Sequence, residues 1–208
     1  MVTNRYVITI SRGFGSGGRE IGKLLSKELG INYYDRELLR LASDESGINE
    51  ALFDRADEKL KSSLLYKIAR KAYRGEIIPP DSEDYISNDN LFNFQSKVIK
   101  GLADQESCVI VGRCADYILR DRDNVVKLFV HAPLEDCVEG IEDLYTLSKS
   151  DLEAKIIKTN KRRAEYYKYF TGRDWNNAEN YDLCLNTHLL GTEKCIDIVK
   201  AYLKVRFN

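Results

Sequence analysis

Ser11-Arg12-Gly13-Phe14-Gly15-Ser16-Gly17-Gly18-Arg19-Glu20 crowds four glycines into the turn between a β-branched run and an amphipathic stretch. Successive backbone N–H groups in such a turn, followed by a helix N-terminus, make a site for phosphate oxygens. Glycine suits it because a curled loop needs positive φ and because a Cβ would hold the backbone away from the anion. Gly13, Phe14, Gly15, Ser16, Gly17, Gly18, Arg19 and Glu20 are therefore the candidate phosphate-contacting residues. Set against the pattern G-x-x-x-x-G-K-[ST], a register starting at Gly13 puts Arg19 in the lysine position and Glu20 in the hydroxyl position. A carboxylate there would hold Mg2+ through the ion's waters rather than directly. The competing reading is a glycine-rich strand-to-helix turn that binds nothing.

The flanking elements decide whether such a loop can be presented. Short apolar runs at Tyr6–Ser11, Asn32–Tyr34, Cys108–Gly112, Val125–Val130 and Leu183–Leu185 alternate with longer amphipathic stretches, the order expected of a parallel sheet with helices on both faces. Gly18–Leu29 carries Ile21, Leu24 and Leu25 at helical spacing and stops at Gly30, a residue type that favours a left-handed cap. Residues 36–104 hold no central-strand pattern. They hold helical patterns at Arg36–Ser43, Glu50–Tyr73 and Asn90–Leu102, broken by a polar stretch around Pro79-Pro80 and its acidic flank, which predicts an inserted helical subdomain with an exposed connector. Further helices are expected just after Pro133, over Leu152–Phe170 and over Glu193–Val205. The chain is thus read as one α/β domain spanning residues 1–208.

Bulk composition excludes several classes. Apolar residues make up 43% of the 208 and charged residues 31%, too hydrophobic for a disordered chain. Lys and Arg number 32 against 33 Asp and Glu, so there is no global basic field for a nucleic-acid polymer, and a polyanion site must be local. Neither a secretion signal nor an apolar stretch of bilayer length is visible, which predicts no membrane partner. The five cysteines, at 108, 114, 137, 184 and 195, lack CxxC spacing and are read as buried thiols of a reducing cytoplasm. His131 and His188 have no ligands at metal spacing and are assigned no chemistry. Trp175 is a candidate anchor for the segment after the long helix, and a weaker candidate for a contact in a homo-oligomer.

Three further segments stand in a telling order behind the glycine loop: Tyr33-Tyr34-Asp35-Arg36-Glu37-Leu38-Leu39, Val109-Ile110-Val111-Gly112-Arg113, and Lys161-Arg162-Arg163-Ala164-Glu165-Tyr166-Tyr167 followed by Tyr181-Asp182-Leu183-Cys184-Leu185-Asn186-Thr187. With the loop, they resemble the cytidylate kinase-like family over nearly the whole chain except about 50–95. The resemblance implies a three-layer P-loop NTPase-type fold: a five-stranded parallel sheet, a helical monophosphate-binding subdomain at about 36–104 and an arginine-bearing lid at about 152–175. It implies ATP and Mg2+ as cofactors, nucleotides as substrates, and phosphoryl transfer to a nucleoside monophosphate, CMP or dCMP first. Carried over position by position, Asp35, Arg36 and Arg40 fall where the monophosphate side begins, Arg113 follows a strand, and Arg162 and Arg163 fall in the lid. Arginine suits these places because its planar fork holds two phosphate oxygens at once, and phosphoryl transfer is mainly positioning and charge neutralisation.

Three departures bear on activity. The loop has no lysine, and aligning Gly15-Ser16-Gly17 with the family's Gly-Ser-Gly puts Gly18 in the lysine position with Arg19 one residue late. Glu20 replaces a hydroxyl, and Cys114 stands where cytidylate kinases have an aspartate after Gly-Arg, with Asp116 as a candidate substitute. The leading reading makes Arg19, Arg113, Arg162 and Arg163 the catalytic cations. The alternative is a nucleotide- or phosphate-binding regulatory protein that keeps the fold without turnover; a purely structural interaction module ranks last.

Overall fold

The three inner strands are buried on both sides, which requires a parallel sheet with helices over both faces. The computed structural model describes residues 5–53, 77, 82 and 86–207. The strands are β1 (Val7–Arg12), β2 (Asn32–Tyr34), β3 (Cys108–Val111), β4 (Val125–His131) and β5 (Leu183–Asn186). They pair in the order β2-β3-β1-β4-β5, all parallel. The helices are α1 (Gly18–Leu29), α2 (Glu37–Ser46), α3 (Asn88–Gln105), α4 (Ala115–Ile118), α5 (Leu134–Glu139), α6 (Lys149–Thr171) and α7 (Thr187–Phe207). Expected helix at 54–73 and the connector at 78–81 and 83–85 lie outside the described residues.

The chain forms two compact units, Met1–Asp35 with Ala103–Asn208, and Arg36–Leu102. In the first, Ile8 and Ile10 of β1, Val109 and Val111 of β3, and Val126, Leu128 and Val130 of β4 point to one side of the sheet. Ile21 and Leu25 of α1 and Cys195, Ile196, Val199 and Leu203 of α7 cover them. On the opposite side Phe129 packs edge-on against Trp175 at 5.3 Å between ring centres and beside Tyr181 at 5.0 Å. Leu152 and Ile156 of α6 pack with Cys137, Val138 and Ile141. In the second unit Leu39, Ala42, Ile48, Phe53, Leu91 and Phe94 make a separate apolar cluster.

Differences from the expected boundaries have local causes. β1 runs one residue further than expected, because the pairing with β4 continues to Arg12 opposite Val130. α6 starts at Lys149, three residues early, because Ser148 is an N-cap whose hydroxyl accepts the Asp151 N–H at 3.1 Å. α7 begins at Thr187 and is kinked at Gly191, whose φ of 69° breaks the helical path before the expected Glu193 start. The cysteines divide: Cys108, Cys114, Cys137 and Cys195 are buried, whereas Cys184, on the edge strand β5, is exposed.

Leu128 sits fully buried in the central core. Leu128→Ala is expected to lower the unfolding free energy by about 2–5 kcal/mol, as read by urea denaturation.

Candidate phosphate-binding site

The glycine loop leaves β1 at the carboxyl edge of the sheet, the position where open α/β sheets take ligands. Gly13 N–H donates to Val130 O at 2.9 Å, and the buried Ser16 hydroxyl lies 2.9 Å from Gly13 O and 3.1 Å from Val130 O. Gly17 ends the loop as the left-handed N-cap of α1, whose first hydrogen bond runs from Ile21 N–H to Gly17 O. Behind the loop, the Thr187 hydroxyl reaches Ser16 O at 3.1 Å. Gly15 has φ of 84°, and a Cβ there would stand 2.3 Å from Cys137 O, so both conformation and space demand glycine.

Around this loop the chain gathers positive charge. Arg12, the last residue of β1, projects on the same side as Ile8 and Ile10 and reaches Asp35 at 3.7 Å. Arg19, from the first turn of α1, places Nε 2.5 Å from the other carboxylate oxygen of Asp35. Arg163 of α6 donates to Arg12 O at 2.9 Å and lies 5.5 Å over the Phe14 ring. Burial pulls the Arg12 guanidinium down from its usual range; Asp35 opposes this, while Arg19 and Arg113 add to it. Burial does the same to Arg163, reinforced by Arg12, Arg19 and Arg113. Arg12, Arg19, Arg113 and Arg163 therefore share one neighbourhood, in which Asp35 is paired with Arg12 and Arg19. Arginine keeps its proton at neutral pH, so the cluster stays charged and attracts an anion.

Arg113 is presented by an unusual turn. Gly112, Arg113 and Cys114 have φ of 77°, 59° and 54°, three successive left-handed residues of which two carry side chains. Left-handed non-glycine residues cost about 1–3 kcal/mol each and persist where their surroundings hold them. Here Gly112 N–H bonds Ile10 O at 3.0 Å, and Ala115 N–H returns to Gly112 O at 3.1 Å. Gly112 also admits Arg12, because a Cβ at 112 would lie 2.3 Å from an Arg12 guanidinium nitrogen.

The remaining expected residues differ in exposure. Arg162, next to Arg163, is exposed and lines a shallow groove with Leu147, Asp151, Lys155 and Lys158. Glu20 is exposed on α1. Arg36 and Arg40 are exposed residues of the helical unit, Arg36 preceding α2. Asp116 is turned into the interior at 4% exposure and accepts the Tyr167 hydroxyl at 2.6 Å, so it does not offer its carboxylate as the substitute for an aspartate at 114. Two residues were not expected. Arg12 carries a strand signal, a basic residue on the inward parity of a buried run. Asn160 accepts the Phe14 N–H at 2.8 Å, and nothing in its sequence context marks it.

Beside Gly13 a cavity of about 540 Å³ opens between the β4–β5 edge and α6, lined by Phe129, His131, Asn160, Trp175, Asn176 and Cys184 among others. That volume is ordinary for a small-ligand pocket. Any Mg2+ here would be held chiefly by nucleotide phosphates and water. Among the described residues no three His, Cys, Asp or Glu side chains group as metal ligands, and Asp35 is already paired with two guanidiniums. Pyrophosphate is expected to raise the melting temperature of the unaltered protein, and Gly15→Ala to destabilise it by about 1–3 kcal/mol through the left-handed backbone alone and to abolish that rise.

Comparisons with known proteins bear on the family and the fold. Cytidylate kinases of Pyrococcus horikoshii and Methanosarcina acetivorans are 24% and 26% identical to the chain, over 97% and 93% of it and 90% and 94% of their own lengths. A solved structure of an uncharacterised protein from Eubacterium ventriosum superposes with a TM-score of 0.69 at 22% identity, covering 96% of this chain and 99% of that one. Shikimate kinase from Bacteroides thetaiotaomicron superposes at 0.53 with 13% identity, over 96% and 98%. The fold is that of the P-loop kinases, a five-stranded parallel sheet with flanking helices. The cytidylate kinase-like family matches residues 7–189, and the chain belongs to that family.

Proposed function

We propose that the protein transfers the γ-phosphoryl group of ATP to a nucleoside monophosphate, with CMP or dCMP the favoured acceptor. The observation that carries this reading is the pairing of Arg12 and Arg19 with Asp35 beside a glycine loop, with Arg163 and Arg113 close enough to shift the same guanidiniums. In such a transfer an acceptor phosphate oxygen bonds to the γ-phosphorus while the bond to the β–γ bridging oxygen breaks, and ADP leaves. Negative charge spreads over the phosphoryl oxygens, so the protein's task is alignment and neutralisation. The amides of Gly15, Gly17 and Gly18, rather than those of Gly13 and Phe14 that already donate to Val130 O and Asn160, would hold the donor phosphates. Arg113 and Arg163 would bracket the transferred group, with Arg12 supplying from the strand the charge that a loop lysine gives elsewhere. The 540 Å³ cavity, walled by Phe129 and Trp175, is a fitting place for a nucleotide ring.

Acceptor recognition is assigned to the helical segment at about 36–104 through Arg36 and Arg40, with Asp35 at its entry and residues 152–175 acting as the lid. Mg2+ is the ion this chemistry ordinarily employs, but the described side chains do not form a ligand set for it, and no role here depends on one. The lack of a loop lysine favours a second reading, a regulatory protein that binds nucleotide without turnover.

ADP release in the presence of ATP, Mg2+ and CMP, dCMP, UMP, AMP or GMP tests the first reading. Turnover on CMP or dCMP is expected, and Arg113→Ala should lower it ~10²–10³-fold, the usual consequence of losing one preorganised charge donor. Silence with every acceptor, alongside nucleotide-induced thermal stabilisation, would establish the second reading in its place.

A further inference from the structure

Asp116 is a buried carboxyl that the phosphate chemistry does not use. It lies at 4% exposure in α4 and accepts the hydroxyl of Tyr167, itself 3% exposed, at 2.6 Å. A buried carboxylate with a directed partner is worth more as a fixed point than as a source of stability.

What it fixes follows from position along two elements. Asp116 is three residues past Arg113, in the short helix that closes the left-handed turn through the Tyr117 and Ile118 N–H groups, which both bond Cys114 O. Tyr167 is four residues past Arg163 and so lies one turn along on the same face of α6. Tyr166 lies against the same turn, since its hydroxyl is raised first by burial and then by Cys114, with Arg113 opposing. Along α6, Asn160 bonds Phe14 N–H, Arg163 bonds Arg12 O and Tyr167 bonds Asp116. Residues 160, 163 and 167 make one helical stripe, pinned at the loop, the strand end and the turn. The third pin holds together two elements whose arginines repel each other.

We propose that Asp116 and Tyr167 are positioning residues: their hydrogen bond locks α6 against the 112–116 turn so that Arg113 and Arg163 address the same phosphate group. The proposal rests on the nucleotide-phosphate reading of the site, and its test separates the two.

Tyr167→Phe removes one oxygen and keeps the ring; Asp116→Asn is the second variant should the first fail to fold. ATP dissociation constants and melting temperatures are measured for the unaltered protein, Tyr167→Phe, Arg163→Met and the double variant. Tyr167→Phe is expected to weaken ATP binding ~10-fold alone and by less than ~2-fold in the Arg163→Met background, the non-additivity of residues acting through one another. Asp116→Asn should behave as Tyr167→Phe does. A fall in melting temperature with affinity unchanged, or an equal loss of affinity in both backgrounds, would overturn the proposal. Guanidinium nitrogen resonances of Arg163 in the ligand-free protein give a readout independent of nucleotide. They should move in Tyr167→Phe, and their staying in place would overturn the proposal even if the unaltered protein binds no ATP, a result that would by itself defeat only the nucleotide reading.

Discussion

Like charges held close in a partly dry place need an opposite charge, and at the carboxyl edge of this sheet that charge is Asp35. Its two oxygens face Arg12 from β1 and Arg19 from α1. It sits at 6% exposure immediately after β2, so the strand order β2-β3-β1 decides how it reaches both. Around it Arg113 and Arg163 add like charge, and burial raises the cost of holding the Arg12 and Arg163 guanidiniums charged. Such a cluster is poised for an anion, because a phosphate arriving at the loop replaces repulsion with charge-assisted hydrogen bonds.

The rest of the first unit serves that placement. Parallel pairing of β1 with β3 and β4 brings the loop, the Arg113 turn and the ends of the inner strands to one edge. Gly15 and Gly112 allow the backbone to pass where a side chain would collide, with Cys137 in one case and Arg12 in the other. Burial of Val109, Val111, Val126, Leu128 and Val130 under α1 and α7 supplies the rigidity that lets the turn at 112–114 keep a conformation its residues disfavour.

The sheet was legible because its strands are short, continuous apolar runs and its first helix ends at a glycine; α1 begins and ends where the pattern places it. The loop was legible from its glycines. Arg12 was not, because a strand boundary shifted by one residue separates a loop side chain from one that points into the cluster. Asp116 was misread for a related reason. The resemblance offered Asp116 as a candidate substitute for the aspartate absent at 114, but its carboxylate is turned inward to Tyr167, and no periodicity in sequence reports the left-handed non-glycine residues before it. Arg162 and Arg163 look equivalent in sequence; a helix separates neighbours by about a hundred degrees, so one joins the cluster and the other lines an outer groove.

The central claim is that the glycine loop and the arginines around Asp35 form one phosphate site. A crystal structure with ATP bound tests it most directly. The account predicts phosphates against the amides of Gly15, Gly17 and Gly18, with the guanidiniums of Arg12, Arg113 or Arg163 turned onto their oxygens. Phosphates bound away from the loop, with Arg12 and Arg19 still closed on Asp35, would contradict it.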